Sequence, residues 1–490
     1  MKNQLFYGDN IDIMRGHVPD GSVDLCYIDP PFNSKRDYNR IYNNVGKEDK
    51  AQSVAFVDTW EWNVRAEKEY NEICVNEGGV FTKQTSDLIM GLYKILGRGS
   101  LLSYLVSMTL RINEIHRVLK PTGSFYLHCD PTVGHYLKIV LDAVFVGRGG
   151  NFRNEIVWCY RGAGYPKNDF GRRHDLIFRY SKTKEYFFNP DPVREPYAEA
   201  TKERFKHHIG NVRKGKDFGV QQLNPLGKHP DDWWQIQPIA PSSKERLGYP
   251  TQKPEALLEK IMLSSSNEGD VVLDAFCGCG TSVAVAQRLN RKWIGIDITY
   301  NSISLIIKRL TEAYGEDVMD GVTVSGIPAD MESARALANK KDDRLRKEFE
   351  KWAVLTYSDN KAMINDKKGK DYGIDGTMRV PERKDKFRDV LFSVKSGKVN
   401  SAMIRDFRGV MERENAAAGI FITLNEPTKD MRKEAASAGF YDDGYNKNIE
   451  KIKIVTIGEI LKGERLNMLA ADVLKKAERV AGNDEQMTLL

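Results

Sequence analysis

Residues 23–32, Val23-Asp24-Leu25-Cys26-Tyr27-Ile28-Asp29-Pro30-Pro31-Phe32, end an apolar run in a carboxylate, two prolines and an aromatic ring. Proline lacks an N–H and has a fixed φ, so Asp29 must lie just past the last ladder bond of its strand. In an open α/β sheet that edge is where ligands bind. Asp29 offers acceptor oxygens, Pro30 and Pro31 hold the backbone extended, and Phe32 offers a flat face. Together they suit a planar group carrying an NH₂. A strand running into a Pro-Pro turn with no chemistry would look the same, so the stretch needs companions.

A companion lies far along the chain. Asp270-Val271-Val272-Leu273-Asp274-Ala275-Phe276 reads as a buried strand, followed by the loop Cys277-Gly278-Cys279-Gly280-Thr281-Ser282 and a helix ending near Asn290. The next strand, Lys292-Trp293-Ile294-Gly295-Ile296, stops at Asp297, 19 residues beyond Gly278. Strand, glycine loop, helix, strand and carboxylate in that order form a nucleotide-type βαβ unit, the last carboxylate taking ribose hydroxyls. The third glycine of a dinucleotide fingerprint is missing, which fits a ligand with a ribose but no pyrophosphate. S-adenosylmethionine is such a ligand.

Other elements must position these two stretches. Gln4–Gly8 reads as a strand, followed by Asp9-Asn10 and a short helix through Met14; Asp20-Gly21-Ser22 is a turn. Polar residues 33–38 read as a mobile loop over the site. Residues 84–119 carry helical periodicity up to Pro121-Thr122-Gly123, Ser124–His128 is the next strand, and Asp130-Pro131 opens a helix through Val144. From 150 to 245 periodicity fades except at Ile177–Tyr180. There Arg161, Lys167, Arg172, Arg173, His207, His208 and Lys214 mix with Tyr165 and Trp233-Trp234. Basic groups interleaved with rings grip phosphates and stack on bases; a solvated insertion is the plain alternative.

Composition sets the bounds. At 490 residues the chain is too long for one core and suggests about three folding units. Its 41% hydrophobic and 29% charged residues are ordinary for a globular protein. No apolar run reaches membrane-spanning length, and the N-terminus opens directly into a strand-like segment, which argues against secretion and for the cytoplasm. Six cysteines without a CxxC pair indicate neither zinc nor disulfides. A net charge of +6 permits a nucleic-acid partner without requiring one.

With these motifs in hand, the chain resembles the amino-group DNA methyltransferases of the permuted (beta) class, in which the catalytic motif precedes the cofactor motif. The likeness spans roughly residues 4–325. Asp29-Pro30-Pro31-Phe32 resembles the catalytic DPPF tetrapeptide. Asp274, Phe276, Gly278, Gly280 and Thr281 resemble the cofactor loop, and Thr251-Gln252-Lys253-Pro254 the motif just before it. Gly8-Asp9-Asn10 occupies the place of the carboxylate that contacts the cofactor's adenine. The resemblance implies a Rossmann-like, S-adenosylmethionine-dependent α/β fold with an inserted target recognition region. It implies cofactor contacts from Asp9, Asn10, Thr251, Lys253, Asp274, Phe276, Gly278, Gly280, Thr281 and Asp297, and catalysis by Asp29, Pro30, Pro31 and Phe32 without metal. An Asp in first position usually accompanies adenine N6 methylation and a Ser cytosine N4 methylation, so adenine is favoured, with cytosine N4 the alternative. The resemblance implies double-stranded DNA as substrate, its target base flipped out of the duplex.

Beyond residue 326 the sequence turns charged, then gives a helix around Glu348–Leu355, strands at Val390–Lys395 and Ile420–Thr423, and Asp375 before a strand pair. Asp375 followed about twenty residues later by Lys395 resembles the Mrr-type restriction nucleases, a small α/β PD-(D/E)xK-like fold. There Asp375 would bind Mg²⁺ and Lys395 would steady the attacking water. Ser393 stands where that family has Glu or Gln, and one ligand fewer weakens metal binding; Glu348 or Glu350 could contribute from the preceding helix. A DNA-binding, catalytically silent domain is therefore favoured over an active nuclease, and Mg²⁺ is expected only in the active case.

The expected organisation is a catalytic half (1–149), a target recognition region (150–245), a cofactor half (246–325), a linker (326–346), the nuclease-like domain (347–465) and a C-terminal helix and tail (466–490). A cytoplasmic, nucleoid-associated DNA methyltransferase is the leading reading. A single-chain restriction-modification enzyme and a DNA-binding protein that only senses the cofactor are the alternatives. A homodimer and a separate restriction subunit stay open.

Overall fold

The computed structural model describes residues 2–468 except 33–36, 45–46, 58–59, 61, 163–165, 207–209, 214–215, 221, 250, 340–342, 360, 366–372, 383–385 and 442–448. The expected loop over the site at 33–38, Tyr165, His207, His208, Lys214 and the C-terminal helix from 469 onward thus lie wholly or mostly outside the described residues.

The first half of the chain gives β1 (Asn3–Tyr7), α1 (Asn10–His17), β2 (Val23–Ile28) and a hairpin of β3 (Asp37–Asn44) and β4 (Lys47–Val57). Helices α2 (Val64–Val75), α3 (Lys83–Leu96) and α4 (Ser100–Val118) lead to β5 (Leu119–Cys129) and α5 (Pro131–Phe145). Then come β6 (Asn151–Cys159), β7 (His174–Ser181), α6 (Glu199–Phe205), the hairpin β8 (Gly210–Arg213) and β9 (Lys216–Val220), and β10 (Trp233–Gln235). The cofactor half follows as α7 (Glu255–Ser265), β11 (Val271–Asp274), α8 (Thr281–Arg288), β12 (Lys292–Asp297), α9 (Tyr300–Tyr314) and β13 (Val322–Ser325).

Nine of these strands form one sheet in the order β10-β6-β7-β5-β2-β11-β12-β1-β13, and β7 alone runs against the rest. β2 and β11, nearly 250 residues apart, are hydrogen-bonded neighbours, with Cys26 opposite Leu273. The strands read as apolar runs because both faces are covered. One face packs Phe6, Phe125, Leu127 and Ile296 with Met14, Leu105, Ile112 and Leu141. The other packs Leu25, Tyr126 and Trp293 with Leu258, Ile261, Val285 and Ile303.

Three stretches carry more structure than their sequence displays. The periodic stretch 84–119 is two helices, broken where Gly97 takes φ +65° and Gly99 opens α4. Within 150–245, β6, β7 and β10 belong to the main sheet. β6 was masked by Arg153 and Glu155 on its partly exposed stretch. The charged segment 326–346 is no plain linker. It contains α10 (Met331–Ala338), opened by a capping box at Asp330 and Ser333, with Ala334 and Ala338 buried.

The C-terminal domain opens with α11 (Asp343–Tyr357). Its strands β14 (Met363–Ile364), β15 (Gly376–Glu382), β16 (Lys386–Lys395), β17 (Ala418–Thr423) and β20 (Ile452–Thr456) pair in that order, with a small β18 (Phe440–Tyr441) and β19 (Ile449–Glu450) pair beside them. Helices α12 (Ser401–Arg413) and α13 (Lys429–Ser437) cover one face through Phe407, Met411 and Met431. On the other face Phe349, Trp352, Leu355 and Val394, with Ile457 of α14 (Ile457–Leu461), join the same continuous core as Tyr300, Ile303 and Leu337. Among the described residues no helix is long and apolar enough to cross a membrane.

Candidate active site

Because β2, β11, β12 and β1 are parallel, their carboxyl ends share one edge of the sheet, and β7, reversed, brings its first residues to that same edge. The edge carries Asp175, Asp29, Asp274, Asp297 and Asp9 in spatial order. So many carboxylates in one cleft need cations, donors or protons to hold them.

Asp29 follows the last paired residue of β2, since Ile28 is still matched to Leu127. The Lys253 ammonium donates to its Oδ2 at 2.6 Å and lies 5.3 Å from the centre of the Phe32 ring. Phe32 in turn stacks on the buried His128 imidazole, 6.0 Å away and inclined by 26°. His128 bonds Tyr27 Oη at 2.9 Å through Nδ1 and Asp175 at 3.1 Å through Nε2. A carboxylate only accepts, so with a neutral imidazole Nε2 carries the proton and Tyr27 donates to Nδ1. Asp175 is pushed up by burial, but His128 and Lys253 outweigh this and hold it below the usual carboxylate range.

The glycine loop sits one strand away. Gly278 (φ +47°) and Gly280 (φ +73°) are left-handed, and a Cβ on Gly280 would come within 2.6 Å of Ile306. This geometry turns the Gly278 N–H onto Asp297 Oδ2 at 2.9 Å, while the Thr299 N–H and hydroxyl donate to Oδ1 at 2.9 and 3.0 Å. Burial nevertheless raises Asp297 to about 6. Ser302 donates to this carboxylate as well, so a ligand hydroxyl here would take the place of a hydroxyl that the protein itself supplies. Tyr249, against Gly278, donates to or accepts from Ser302 at 3.3 Å and walls this corner. Asp274, at the end of β11, accepts from Ser282 Oγ and from the Phe276 N–H at 3.0 Å. Burial, aided by the charges of Asp29 and Asp297, raises it to about 7.

Not every expected cofactor residue faces this corner. Asp9 caps α1 through the Ile11 N–H and is clamped by Arg111 at 3.0 Å and Arg65 at 2.6 Å. Burial would raise its carboxyl; the two guanidinium groups reverse that and lower it. Asn10 accepts from Arg111 Nε and donates to the Ala275 carbonyl, so it ties the start of α1 to the residues just before the glycine loop. Lys253 reaches Asp29 rather than the Asp297 corner, and Thr251, at φ +60°, offers it a carbonyl at 3.5 Å. Thr281 opens α8 directly after the loop. Arg111, His128 and Asp175 were not singled out as site residues; a charge directly after the apolar run Leu101–Leu110, as at Arg111, was the available signal.

The loop joining β6 to β7 lies at the same edge. Phe170 is 93% exposed there, beside exposed Arg161, Lys167 and Arg172. Elsewhere the aromatic and basic residues pair internally: Arg153 stacks on Tyr186, Arg179 on Phe188 and Lys260 on Trp234.

In the C-terminal domain, Asp375 accepts from the Val394 N–H at 2.7 Å and lies 3.6 Å from Lys347, which pairs with Glu350 at 2.9 Å. Burial first, then the Glu350 charge, raises Asp375 to about 6, and Lys395 lies near enough to oppose this. Glu348 points away, toward the main sheet. Among the described residues no group of three or more His, Cys, Asp or Glu could hold a metal ion. This donor set does not fit a Mg²⁺ nuclease centre.

Residues 23–308, more than half of the chain, match the family model N6_N4_Mtase, DNA methylase. Residues 345–461 match NACHT-associated inactive Restriction Endonuclease 1. The chain is 36% identical over 318 residues to the type II methyltransferase M.BglII of Bacillus subtilis, covering 63% of this chain and 69% of that one. It is 28% identical over 313 residues to the DNA adenine methyltransferase YhdJ of Escherichia coli, covering 63% and 83%. The solved PvuII DNA methyltransferase (cytosine-N4-specific) aligns with a TM-score of 0.39 at 16% identity, over 66% of this chain and 95% of that one.

Proposed function

This chain belongs to the DNA methylase family, and we propose that it is a site-specific DNA methyltransferase of the permuted class acting on adenine N6 in double-stranded DNA. The observation that carries the reading is the pairing of β2 with β11, which sets Asp29-Pro30-Pro31-Phe32 one strand from the glycine loop and two from Asp297.

S-adenosylmethionine supplies an electrophilic methyl group on a sulfonium. Asp297, beside Gly278 and Tyr249, would hold a ribose hydroxyl in place of the Thr299 or Ser302 hydroxyl. Asp29 and the Pro30 carbonyl accept the two hydrogens of the target amine. That draws the lone pair out of ring conjugation and toward the methyl group. Phe32, backed by His128, offers the face on which the flipped base stacks. Holding nitrogen and methyl in line supplies most of the remaining gain. Before this, Lys253 must give up Asp29, because its ammonium occupies an acceptor oxygen the amine needs and lies against the Phe32 face. The exposed loop with Phe170, Arg161, Lys167 and Arg172 is the nearest part of the target recognition surface. The C-terminal domain is a non-cleaving appendage: residues 345–461 match an inactive restriction endonuclease family, and among the described residues no third metal ligand joins Asp375 and Glu350.

The test is sequencing of genomic DNA from a methylation-free host expressing this chain, with modified bases identified at each position. N6-methyladenine in one short motif, absent with Asp29→Ala, supports the reading. N4-methylcytosine would keep the mechanism and overturn the base assignment; no modification would overturn both.

A further inference from the structure

The helix that was expected to help a nuclease centre serves the other domain. Glu348, on α11, is 7% exposed and accepts from the Tyr300 backbone N–H at 3.1 Å and from Tyr7 Oη at 3.3 Å. Its other oxygen pairs with Lys351 at 2.9 Å. Tyr300 is the first residue of α9 and follows Asp297 by three positions; Tyr7 is the residue matched to Asp297 across β1 and β12. One carboxylate from the C-terminal domain therefore grips both chain segments that flank the Asp297 turn. Tyr300 and Tyr7 also meet edge-to-face at 6.3 Å, and Tyr300 Oη bonds Thr356 Oγ1 at 3.0 Å, a second tie from α11 to the same residue.

A buried carboxylate costs folding energy unless it is paired, and it tolerates little displacement of its partners. The shared apolar core alone would let α11 slide along α9; these directional bonds fix one position. We infer that Glu348 is a positioning residue for the S-adenosylmethionine pocket, through which the C-terminal domain holds Asp297 and its turn in binding geometry. The inference rests on the reading of that corner given under Proposed function. It assigns the appended domain a role in methyl transfer that needs neither DNA cleavage nor metal.

The experiment measures the S-adenosylmethionine dissociation constant of the full chain by titration calorimetry, alongside KM and kcat on duplex DNA. Glu348→Gln keeps the shape and removes the charge; Tyr7→Phe removes only the hydroxyl donor and preserves the core. The expected result is a dissociation constant raised about tenfold by Glu348→Gln and about threefold by Tyr7→Phe. DNA affinity and kcat at saturating S-adenosylmethionine should stay unchanged. If Glu348→Gln fails to fold, Tyr7→Phe decides. Unchanged cofactor affinity in the folded variants, or a fall in kcat alone, would overturn the inference. A parent protein that itself fails to bind S-adenosylmethionine would instead bring down the proposed function.

Discussion

Lys253 Nζ donates to Asp29 Oδ2 at 2.6 Å across 224 residues of chain, and the pair is largely shielded from water. The bond joins the last residues before α7 to the end of β2. It also gives the catalytic carboxylate a partner when no substrate is present. Lys253→Met leaves that oxygen half-buried without its donor, which costs about 1–3 kcal/mol. Urea unfolding should show a lower midpoint at constant slope; an unchanged midpoint would show that the pair contributes nothing to stability.

Asp29→Ala removes an acceptor that matters only when the amine changes geometry. Methyl transfer should fall by about 10³-fold. Cofactor affinity should stay within a factor of about three, because Asp29 does not touch the Asp297 corner. Single-turnover kinetics and calorimetry separate the two quantities, and comparable turnover would remove Asp29 from its role.

Asp274 and Asp297 have folded-state values of about 7 and about 6, both above the unfolded carboxyl. The folded state therefore binds more protons than the unfolded one, and the stabilising contribution is complete below the unfolded value. It is lost as pH rises through about 4 to 7. Relative to Asp274→Asn, whose amide does not titrate, the ligand-free parent should lose stability over that interval. A pH-independent difference in melting temperature would contradict this.

A ribose hydroxyl donating to Asp297 favours the charged carboxylate. S-adenosylmethionine should accordingly bind more tightly as pH rises from below 6 to above it, with proton release. Calorimetry in buffers of different ionisation enthalpy reads that release directly, and buffer-independent heats would refute it.

Gly280→Ala forces a side chain into φ +73° and into Ile306. The expected loss is about 2–4 kcal/mol. Thermal unfolding is the check, and a variant as stable as the parent would mean the loop relaxes freely.

What was legible in the sequence is what covalent structure dictates locally. Two prolines force Asp29 off its strand, and two left-handed glycines turn the Gly278 N–H toward Asp297, which realises the 19-residue spacing as a hydrogen bond. What was not legible depends on distant neighbours. Nothing near Asp9 announces Arg65 and Arg111; nothing near His128 announces Asp175; and Lys253, beside the cofactor motif in sequence, reaches across to β2. The charge-rich run before α11 suggested a linker because its buried residues, Ala334, Leu337 and Ala338, are few and small. The side of α11 that Glu348 occupies was likewise fixed by a domain contact, not by its own helix.

The strand order also governs the sequence of events on a ribosome. β1 lies between β12 and β13, so neither of its edges has a neighbour until residues 292–325 have emerged. At ordinary elongation speeds this leaves roughly 15–60 s in which a nascent apolar strand stays uncovered. β2 waits similarly for β11, with β5 alone beside it. Shielding by chaperones during synthesis, and poor recovery from denaturant at high protein concentration, follow from that delay.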